Sequence, residues 1–296
     1  MIASRREVRS STTIYFSSRN FVKVNRSNAK GFSLIELAIV LLVIGALFAG
    51  ILMPLANQIE LRRVGETQKT LAEIRDALIG FAAANGRLPC PASAASNGQE
   101  AWAAGGNASN GNCANFFDGF VPGVALGVGP IDGAGYVIDA WNRRIRYAVA
   151  NTDRSPIGSA TPLNPNGNFD FTAMGTVPAA SGEMRNVGMA ALAPNLHVCS
   201  TATGINATNC AANVSLIDNA VAVIFSTGPN GAQPDPGATR IDENANPNPN
   251  SADNNQTFVS HDRAGANNPN GEFDDIVIWL SPNIIYARMI AAGRLP

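Results

Sequence analysis

The sequence predicts an α+β fold in which a long N-terminal helix, half transmembrane and half amphipathic, packs on a small antiparallel β-sheet head. Three observations indicate this fold. An uncharged apolar run covers residues 37–56, apolar side chains recur at helical spacing over residues 58–86, and short runs rich in β-branched residues follow. Segments rich in Asn, Gly and Pro separate these short runs and indicate long loops.

Composition and charge argue against disorder and against a nucleic-acid-binding protein. Of the 296 residues, 46% are hydrophobic and 15% are charged, a balance that is too apolar for a chain that stays unfolded. The net charge is -1, but residues 1–31 hold seven basic residues and one acid, which leaves 14 basic residues and 21 acids for the other 265. Phosphate binding needs a basic domain, so we expect no nucleic acid partner.

Residues 1–31 form a basic segment that we expect to be cytoplasmic, and residues 32–57 predict one membrane span after it. The run from Leu37 to Ala56 has 20 residues without a charged or polar side chain, and as a helix it would span about 30 Å, the thickness of a hydrocarbon core. Basic residues are denser before the run than after it, which keeps the leader cytoplasmic. A secretory signal peptide is the alternative, but its apolar part is normally about 7 to 15 residues long.

The four cysteines predict disulfides rather than a zinc site. Cys90, Cys113, Cys199 and Cys210 include no C-x-x-C pair, and the chain has two histidines. Outside the inner membrane of a bacterium, paired thiols oxidise. Four cysteines allow three connectivities, one of which is the sequence-local pairing of Cys90 with Cys113 and of Cys199 with Cys210.

Glu36 is a lone carboxylate that directly precedes the apolar run and follows the apolar residues Leu34 and Ile35. A charge at the centre of a bilayer helix costs about 2.5 to 3.5 kcal/mol on insertion scales, and less near the end of the helix. Residues that carry such a cost usually have a partner. We therefore expect Glu36 to pair with a group of opposite charge.

The segment Lys30-Gly31-Phe32-Ser33-Leu34-Ile35-Glu36 resembles the prepilin cleavage and methylation motif of type IV pilins and type II secretion pseudopilins. The resemblance implies that residues 1–31 are a prepilin leader, that prepilin peptidase cuts after Gly31, and that the new N-terminal residue Phe32 is N-methylated. It also implies that Glu36 serves assembly, and pairing with the ammonium of a neighbouring subunit would remove both charges from the apolar medium.

For function, the resemblance implies a non-catalytic filament subunit with a pilin-like fold. Its partners would be prepilin peptidase, other pilin or pseudopilin subunits, an inner-membrane assembly platform and the lipid of that membrane. It would cross the bacterial inner membrane once, with a periplasmic head, and would then enter a periplasmic or surface filament. Type IV pili and type II secretion pseudopili share the motif, so both systems stay open.

Residues 58–86 predict an amphipathic helix that continues the apolar run. Charged residues lie between the apolar ones, Asn85-Gly86 predicts a left-handed end, and Pro89 prevents the helix from resuming. The positions expected to face the core are Val64, Leu71, Ile74, Leu78 and Phe81.

Residues 87–296 predict a loop-rich globular β head with a C-terminal helix. We expect a disulfide-stapled loop at residues 89–135 and a mobile loop at residues 228–255. The C-terminal helix is expected to begin at Pro282 and to end at Gly293. The other expected elements are strands at 136–138, 144–150, 220–226 and 273–280 and a short helix at 184–192.

Three segments of the head resemble the major pseudopilin of type II secretion: Asp139-Ala140-Trp141, the segment 226–231, and Asp274-Asp275-Ile276. Their order in the chain agrees with that subunit. The 42 residues between Gly231 and Asp274 are more than we expect of a major pseudopilin, so a minor pseudopilin or minor pilin is at least as compatible.

No catalytic residue is assigned, and the chain is not expected to be an enzyme. His197 and His261 lie in polar contexts without the sequence pattern of a nucleophile, and no phosphate-binding loop or dinucleotide motif occurs. Two carboxylates would suffice for a glycosidase, but acids in Asn- and Gly-rich loops are commonly solvated turn formers. A membrane-anchored periplasmic enzyme or adhesin is the alternative to a filament subunit.

Acidic residues crowd into residues 235–275, where eight acids accompany two arginines. Carboxylates and backbone carbonyls are hard ligands that suit calcium, so no cofactor is required and calcium is the one that the sequence suggests. The candidate ligands are Asp262, Asp274 and Asp275, of which the last two correspond to the loop where the major pseudopilin holds calcium. Solvated Asp turns are the alternative.

Overall fold

The structure is a computed structural model that describes residues 31–152, 168–174, 182–231, 239–246 and 255–295, with the backbone alone at residues 49–56. The chain divides into two compact units, Met1–Leu55 and Ala56–Pro296. The predicted leader, up to residue 30, lies outside the described residues.

The described residues form an α+β structure, as the sequence predicts. The helices are α1 (Leu34–Asn85), α2 (Gly123–Leu126), α3 (Glu183–Val187), α4 (Ile241–Asn244) and α5 (Pro282–Ala291). The strands are β1 (Gly119–Phe120), β2 (Arg146–Val149), β3 (Leu196–Cys199), β4 (Ser215–Ala220), β5 (Ala222–Ser226), β6 (Thr257–Val259) and β7 (Ile276–Leu280).

The first unit contains the beginning of α1, whose described side chains are exposed. Phe32 is 78% exposed, Leu34 is 88% exposed, and the apolar side chains up to Phe48 are also exposed. Among the described residues, no helix is both long enough and apolar enough to cross a membrane.

The second unit contains the other end of α1, which is amphipathic as predicted. Leu71, Ile74 and Leu78 are completely buried and belong to the hydrophobic core of this unit, whereas Val64 and Phe81 are half-buried. The helix ends at Asn85 and is followed by Gly86 with a φ of 72°, the left-handed end that the Asn-Gly pair predicts.

A four-stranded antiparallel sheet forms the centre of the second unit. Its strand order is β1-β2-β5-β7, and Tyr147 on β2 lies opposite Ile224 on β5. Every residue of β2 and β5 is buried, so both faces of the two central strands are covered. Strands buried in this way read as continuous apolar runs, which is why the sequence located both of them.

A second sheet of three strands, in the order β4-β3-β6, is absent from the sequence-based expectations. β3 pairs antiparallel with β4 and parallel with β6, so the head is not purely antiparallel. Its strands have three to six residues, and the register between β3 and β4 shifts twice. Strands this short and irregular show no clear alternation in sequence.

Several expected elements differ in extent or type. Within residues 136–138, Val137 and Ile138 form single bridges rather than a strand, and Asp132 accepts the Tyr136 amide hydrogen at 2.9 Å, which closes a turn there. The helix expected at 184–192 is shortened to α3, since the chain turns at Gly188 with a φ of 78°. β1 and α2 lie inside the expected loop 89–135, and α4 lies inside the expected mobile loop 228–255.

Two disulfides join the four cysteines in the sequence-local pairing. Cys90 is bonded to Cys113, and Cys199 at the end of β3 is bonded to Cys210. The first fastens the irregular segment that follows α1, and the second closes a loop of the three-stranded sheet.

Candidate functional site

The predicted cleavage site lies just before α1 in an accessible segment. Gly31, Phe32 and Ser33 are exposed and outside the helix, which begins at Leu34. A methyl group on Gly31 would meet nothing within 4 Å. Both residues of the Gly31–Phe32 peptide bond are therefore exposed.

Glu36 takes part in the beginning of α1. Its backbone amide donates to Ser33 Oγ at 3.2 Å, and its carboxylate Oε2 accepts the Ser33 amide hydrogen at 3.4 Å. This reciprocal pattern is a capping box, which satisfies amide groups that have no partner inside a helix. The S-x-x-E spacing in the sequence is the signal that could have identified it.

In the head, three buried carboxylates lie together. Glu243 on α4 and Asp274 and Asp275 before β7 each offer an oxygen within 4.8 Å of the others. The exposed fractions are 8% for Glu243, 3% for Asp274 and 5% for Asp275. We call these three residues the acid cluster.

The structure places two of the three candidate calcium ligands, Asp274 and Asp275, in the acid cluster and leaves Asp262 outside it. Asp262 has an exposed side chain, and its backbone carbonyl accepts from His261 Nδ1 at 2.7 Å. Glu243 takes the third place, and sequence reasoning did not assign it. Its helix has four residues, too few to show a period.

Polar groups hold the carboxylate of Glu243 in place. The Asn230 amide donates to both of its oxygens at 3.0 and 3.2 Å, the Arg240 guanidinium donates to Oε2 at 3.0 Å, and the Asp274 backbone amide donates to Oε1 at 3.0 Å. Asn246 donates to Asp275 Oδ2 at 2.9 Å. The cluster thus has a fixed geometry.

One oxygen of the cluster and one beside it have no hydrogen-bond partner among the described residues. Asp274 Oδ1 and Thr227 Oγ1 are both buried in this way. Thr227, Glu243 and Asp275 line a cavity of about 20 Å³, which has room for about one water-sized particle. Unsatisfied buried oxygens next to such a cavity indicate a place for a positively charged or hydrogen-bonding particle.

Burial also changes the pKa values of the aspartates. Loss of solvation raises the pKa of Asp274 to about 8, with a further increase from the negative charge of Glu243. Burial raises the pKa of Asp275 well above its usual value, although the hydrogen bond from Asn246 acts in the opposite direction. In the absence of a cation, the cluster therefore favours bound protons.

The backbone approaches the cluster closely at Gly228. Its φ is 59°, and a methyl group at this position would lie 2.1 Å from Asp274 Oδ1. Only glycine fits this contact without displacement of the carboxylate.

The segment 226–231, which approaches the acid cluster where Gly228 meets Asp274, also contacts the head segment around Asp139. The Ser226 hydroxyl donates to Asp139 Oδ2 at 2.5 Å, and the Arg143 guanidinium donates to the carbonyl of Pro229 at 2.5 Å. The amide of Ala140 donates to Thr67 Oγ1 on α1 at 3.2 Å. The three segments therefore converge in space although they are far apart in sequence.

The two histidines have structural contacts. His261 stacks on Phe273 and lies 3.1 Å from Asp242 Oδ2. His197 Nδ1 lies 3.4 Å from Asp218 Oδ1, and the Ser215 hydroxyl donates to the same oxygen at 2.5 Å. In that trio the carboxylate stands between the hydroxyl and the imidazole, whereas nucleophilic catalysis needs the imidazole next to the hydroxyl.

Comparison with known protein families identifies a match at the N-terminus. Residues 26–52 fit the family model of the prokaryotic N-terminal methylation motif, and this range contains the cleavage segment and much of the apolar run. Neither the curated proteins nor the solved structures contain a match.

The motif has consequences for processing and location. It implies cleavage by a prepilin peptidase, anchoring in a membrane before assembly into a filament, and assembly with other pilin subunits. Such a subunit has a structural rather than an enzymatic role. At its N-terminus, the chain is thus similar to type IV pilin- and pseudopilin-like proteins.

Proposed function

We propose that the chain is a non-catalytic subunit of a type IV pilus-like filament or of a type II secretion pseudopilus. Prepilin peptidase cleaves it between Gly31 and Phe32, and Phe32 is then N-methylated. The observation that carries the proposal is the methylation motif at residues 26–52. The exposed position of the Gly31–Phe32 bond ahead of α1 supports cleavage at this place.

The apolar beginning of α1 supports a location in the bacterial inner membrane. The 20-residue run from Leu37 to Ala56 has no charged side chain, and its described part is exposed. Exposed apolar surface of this size needs lipid or another subunit to cover it. The chain passes the membrane once, the leader stays in the cytoplasm, the head is periplasmic, and an assembly platform moves the subunit into the filament.

The first prediction concerns the mature N-terminus. Intact-mass measurement of the chain extracted from membranes should give a polypeptide that begins at Phe32 and carries one methyl group. Deletion of the prepilin peptidase gene should leave residues 1–31 attached. A mature chain that begins at Met1 in the wild-type strain, or beyond residue 49, would contradict the proposal.

We also propose that the acid cluster holds calcium through Glu243, Asp274 and Asp275. Calcium takes about six to eight oxygen ligands, so backbone carbonyls or water would complete its coordination. The fit rests on the unpartnered oxygens of Asp274 and Thr227 and on the adjacent cavity. Calcium neutralises the buried carboxylates beyond the ion pair that Glu243 forms with Arg240, and it joins α4 to the start of β7.

The second prediction tests this site by thermal unfolding. The full chain in a neutral detergent should melt at a higher temperature in calcium than in a chelator, because an ion that binds only the folded state adds about 2.7 kcal/mol at 100 times its dissociation constant. Asp274→Asn with Asp275→Asn should abolish the difference, and Asp262→Asn should preserve it. Identical melting of wild type in calcium and chelator would rule out the site.

A further inference from the structure

A second cavity, of about 280 Å³, lies beside β1, the strand at one edge of the four-stranded sheet. It shares no lining residue with the small cavity at the acid cluster. All of its lining residues belong to the continuous described range 31–152. Two of them, Ala94 and Ala114, are exposed and lie where the cavity meets solvent. Its apolar wall consists of Pro91, Ala92, Ala94, Ala101, Ala114 and Phe120.

A buried ion pair between Arg146 and Asp118 forms part of the polar wall of this cavity. The two side chains are 4% and 7% exposed. Arg146 Nη2 contacts the Asp118 carboxylate and donates to the Asp118 backbone carbonyl at 3.2 Å. The guanidinium also lies 4.6 Å from the centre of the Phe120 ring. Burial lowers the pKa of Arg146 to about 10, so the group stays charged at neutral pH.

The hydrogen bonds of this pair are incomplete among the described residues. A guanidinium has five N–H donors, but the contacts with Asp118 use Nη2, and Nε is buried without a partner. Asp118 Oδ1 is in ionic contact with Arg146 but accepts no hydrogen bond. Buried polar groups normally find partners. The wall of the cavity therefore places an incompletely bonded donor group next to an incompletely bonded acceptor.

The charges near Phe120 favour a neutral guest. A second arginine, Arg144, lies 5.7 Å from the centre of the same ring and pairs with Asp132 at 2.7 Å. Each of the two arginines thus already has a carboxylate of its own. A charged guest would bring a further charge into a buried place, and such a charge is costly unless it is paired.

We propose that this cavity binds a small neutral amide, whose carbonyl oxygen accepts from Arg146 and whose N–H group donates to Asp118. An amide carries an acceptor and a donor on neighbouring atoms, as this ion pair requires. The alanines and Pro91 leave room for a small apolar substituent on the amide. Mostly apolar walls with a few polar groups are typical of ligand sites, which for drug-sized molecules measure about 300 to 1,000 Å³. The site involves neither the proposed calcium ligands nor Glu36.

The test measures binding of two neutral amides and one anion to the full chain in neutral detergent, by saturation-transfer NMR. Propionamide carries a terminal carboxamide, N-acetyl-L-alanine N-methylamide carries the amides of a peptide chain, and propionate is the anion of nearly the same shape as propionamide. At least one neutral amide should bind about fivefold more tightly than propionate. The tighter of the two amides identifies the source as a small carboxamide or as a peptide.

Two double variants locate the site. Asp118→Asn with Arg146→Gln removes both charges together, so no single charge is left buried, and it should weaken amide binding by about tenfold or more. The matched control is Asp132→Asn with Arg144→Gln, because that pair also lies at Phe120 but does not line the cavity. Its amide binding should stay within about twofold of wild type.

Ala114→Leu provides an independent test, since Ala114 is exposed and a larger side chain there burdens no core contact. It narrows the cavity and should also weaken amide binding by about tenfold. Absence of binding of both amides to wild type overturns the proposal, as does binding of propionate that is as tight as that of the amides. Unchanged binding in Ala114→Leu, or an equal loss in the control pair, overturns the location, and the Ala114→Leu result decides it if the Asp118 and Arg146 variant does not fold.

Discussion

In the folded protein, the surroundings of Asp274 favour the protonated form of its side chain over the ionised form. Its pKa is raised from 3.8 to about 8, because burial disfavours the charged form and Glu243 adds like charge. A folded-state pKa above the unfolded value means that the folded state binds the proton more tightly. The stability that this proton contributes is complete below the unfolded pKa and is lost as the pH rises through the folded pKa.

The third prediction follows from this sign. In a chelator, the melting temperature of the full chain should fall as the pH rises from about 5.5 to 8.5, across the raised pKa of Asp274. Asp274→Asn carries no titrating group at this position, so its melting temperature should change less over the same range. Saturating calcium should also flatten the wild-type curve, since the cation replaces the proton.

A wild-type melting temperature that rises with pH in the chelator would contradict this interpretation of Asp274. Asp262→Asn is a suitable control, because its side chain is exposed and should leave the pH dependence unchanged. The measurement needs only fluorescence of the three tryptophans.

Individual residues also show how far the sequence predicts the site. Asp274 and Asp275 were identified because they lie in an acid-rich segment and correspond to the loop where the major pseudopilin holds calcium. Glu243 was not assigned, since its contact with Asp274 spans 31 residues and depends on the single turn of α4. The roles of Gly228 and Thr227 depend on backbone approach and burial, which no spacing rule indicates.

At the scale of elements, the three-stranded sheet gains little stability from its own strands. β6 has three residues, and most of β4 is exposed. Asn246 connects this sheet to the acid cluster. Its side chain donates to the Val259 carbonyl on β6 at 3.0 Å and accepts from the Val259 amide at 2.8 Å, and it also donates to Asp275. The Cys199–Cys210 disulfide is the covalent constraint on this sheet.

The fourth prediction concerns that disulfide. Cys199→Ala with Cys210→Ala should lower the free energy of unfolding by about 2 to 4 kcal/mol, because the unfolded chain gains the entropy of an open loop. Chemical denaturation followed by fluorescence measures the change. Cys90→Ala with Cys113→Ala should be at least as destabilising, since that pair closes the longer loop, with a sequence separation of 23 against 11. An unchanged midpoint for the first variant would show that the sheet is held by its other contacts.

The elements that were predicted from the sequence and those that were not differ in length and composition. β5 and β7 contain the apolar runs Ala222–Ser226 and Ile276–Leu280. α5 has Pro282 at its first helical position, directly after the N-cap residue Ser281. β3 and β6 are four and three residues long and lie between polar loops. Their pairing is a tertiary contact, and local patterns do not encode it.

At the scale of the whole molecule, the two units differ in the exposure of their apolar side chains. The head unit has a core that includes α1, the central sheet and α5, whereas the described apolar side chains of the first unit are exposed. A chain with this division needs a separate environment for its N-terminal part. Glu36 lies at the beginning of that part, and its carboxylate is both a charged group and a member of the capping box of α1.

The fifth prediction separates these two roles of Glu36. Glu36→Gln keeps a capping group and removes the charge, so filament incorporation should fall by about tenfold or more if charge pairing drives assembly. Ser33→Ala removes the cap and keeps the charge, and it should incorporate nearly as wild type. Quantitative immunoblotting of the filament fraction measures both. Normal incorporation of Glu36→Gln together with loss in Ser33→Ala would assign the role to helix capping instead.

The position of the capping box has a consequence for proteolysis. Ser33 and Glu36 both lie on the C-terminal side of the Gly31–Phe32 bond, so the hydrogen bonds that start α1 remain with the product. Cleavage at the proposed bond would therefore leave the hydrogen bonds at the start of α1 in place. The rate of maturation would then depend on recognition of the leader and on the chemistry of cleavage, and release of the leader would leave a subunit already folded for its next partner.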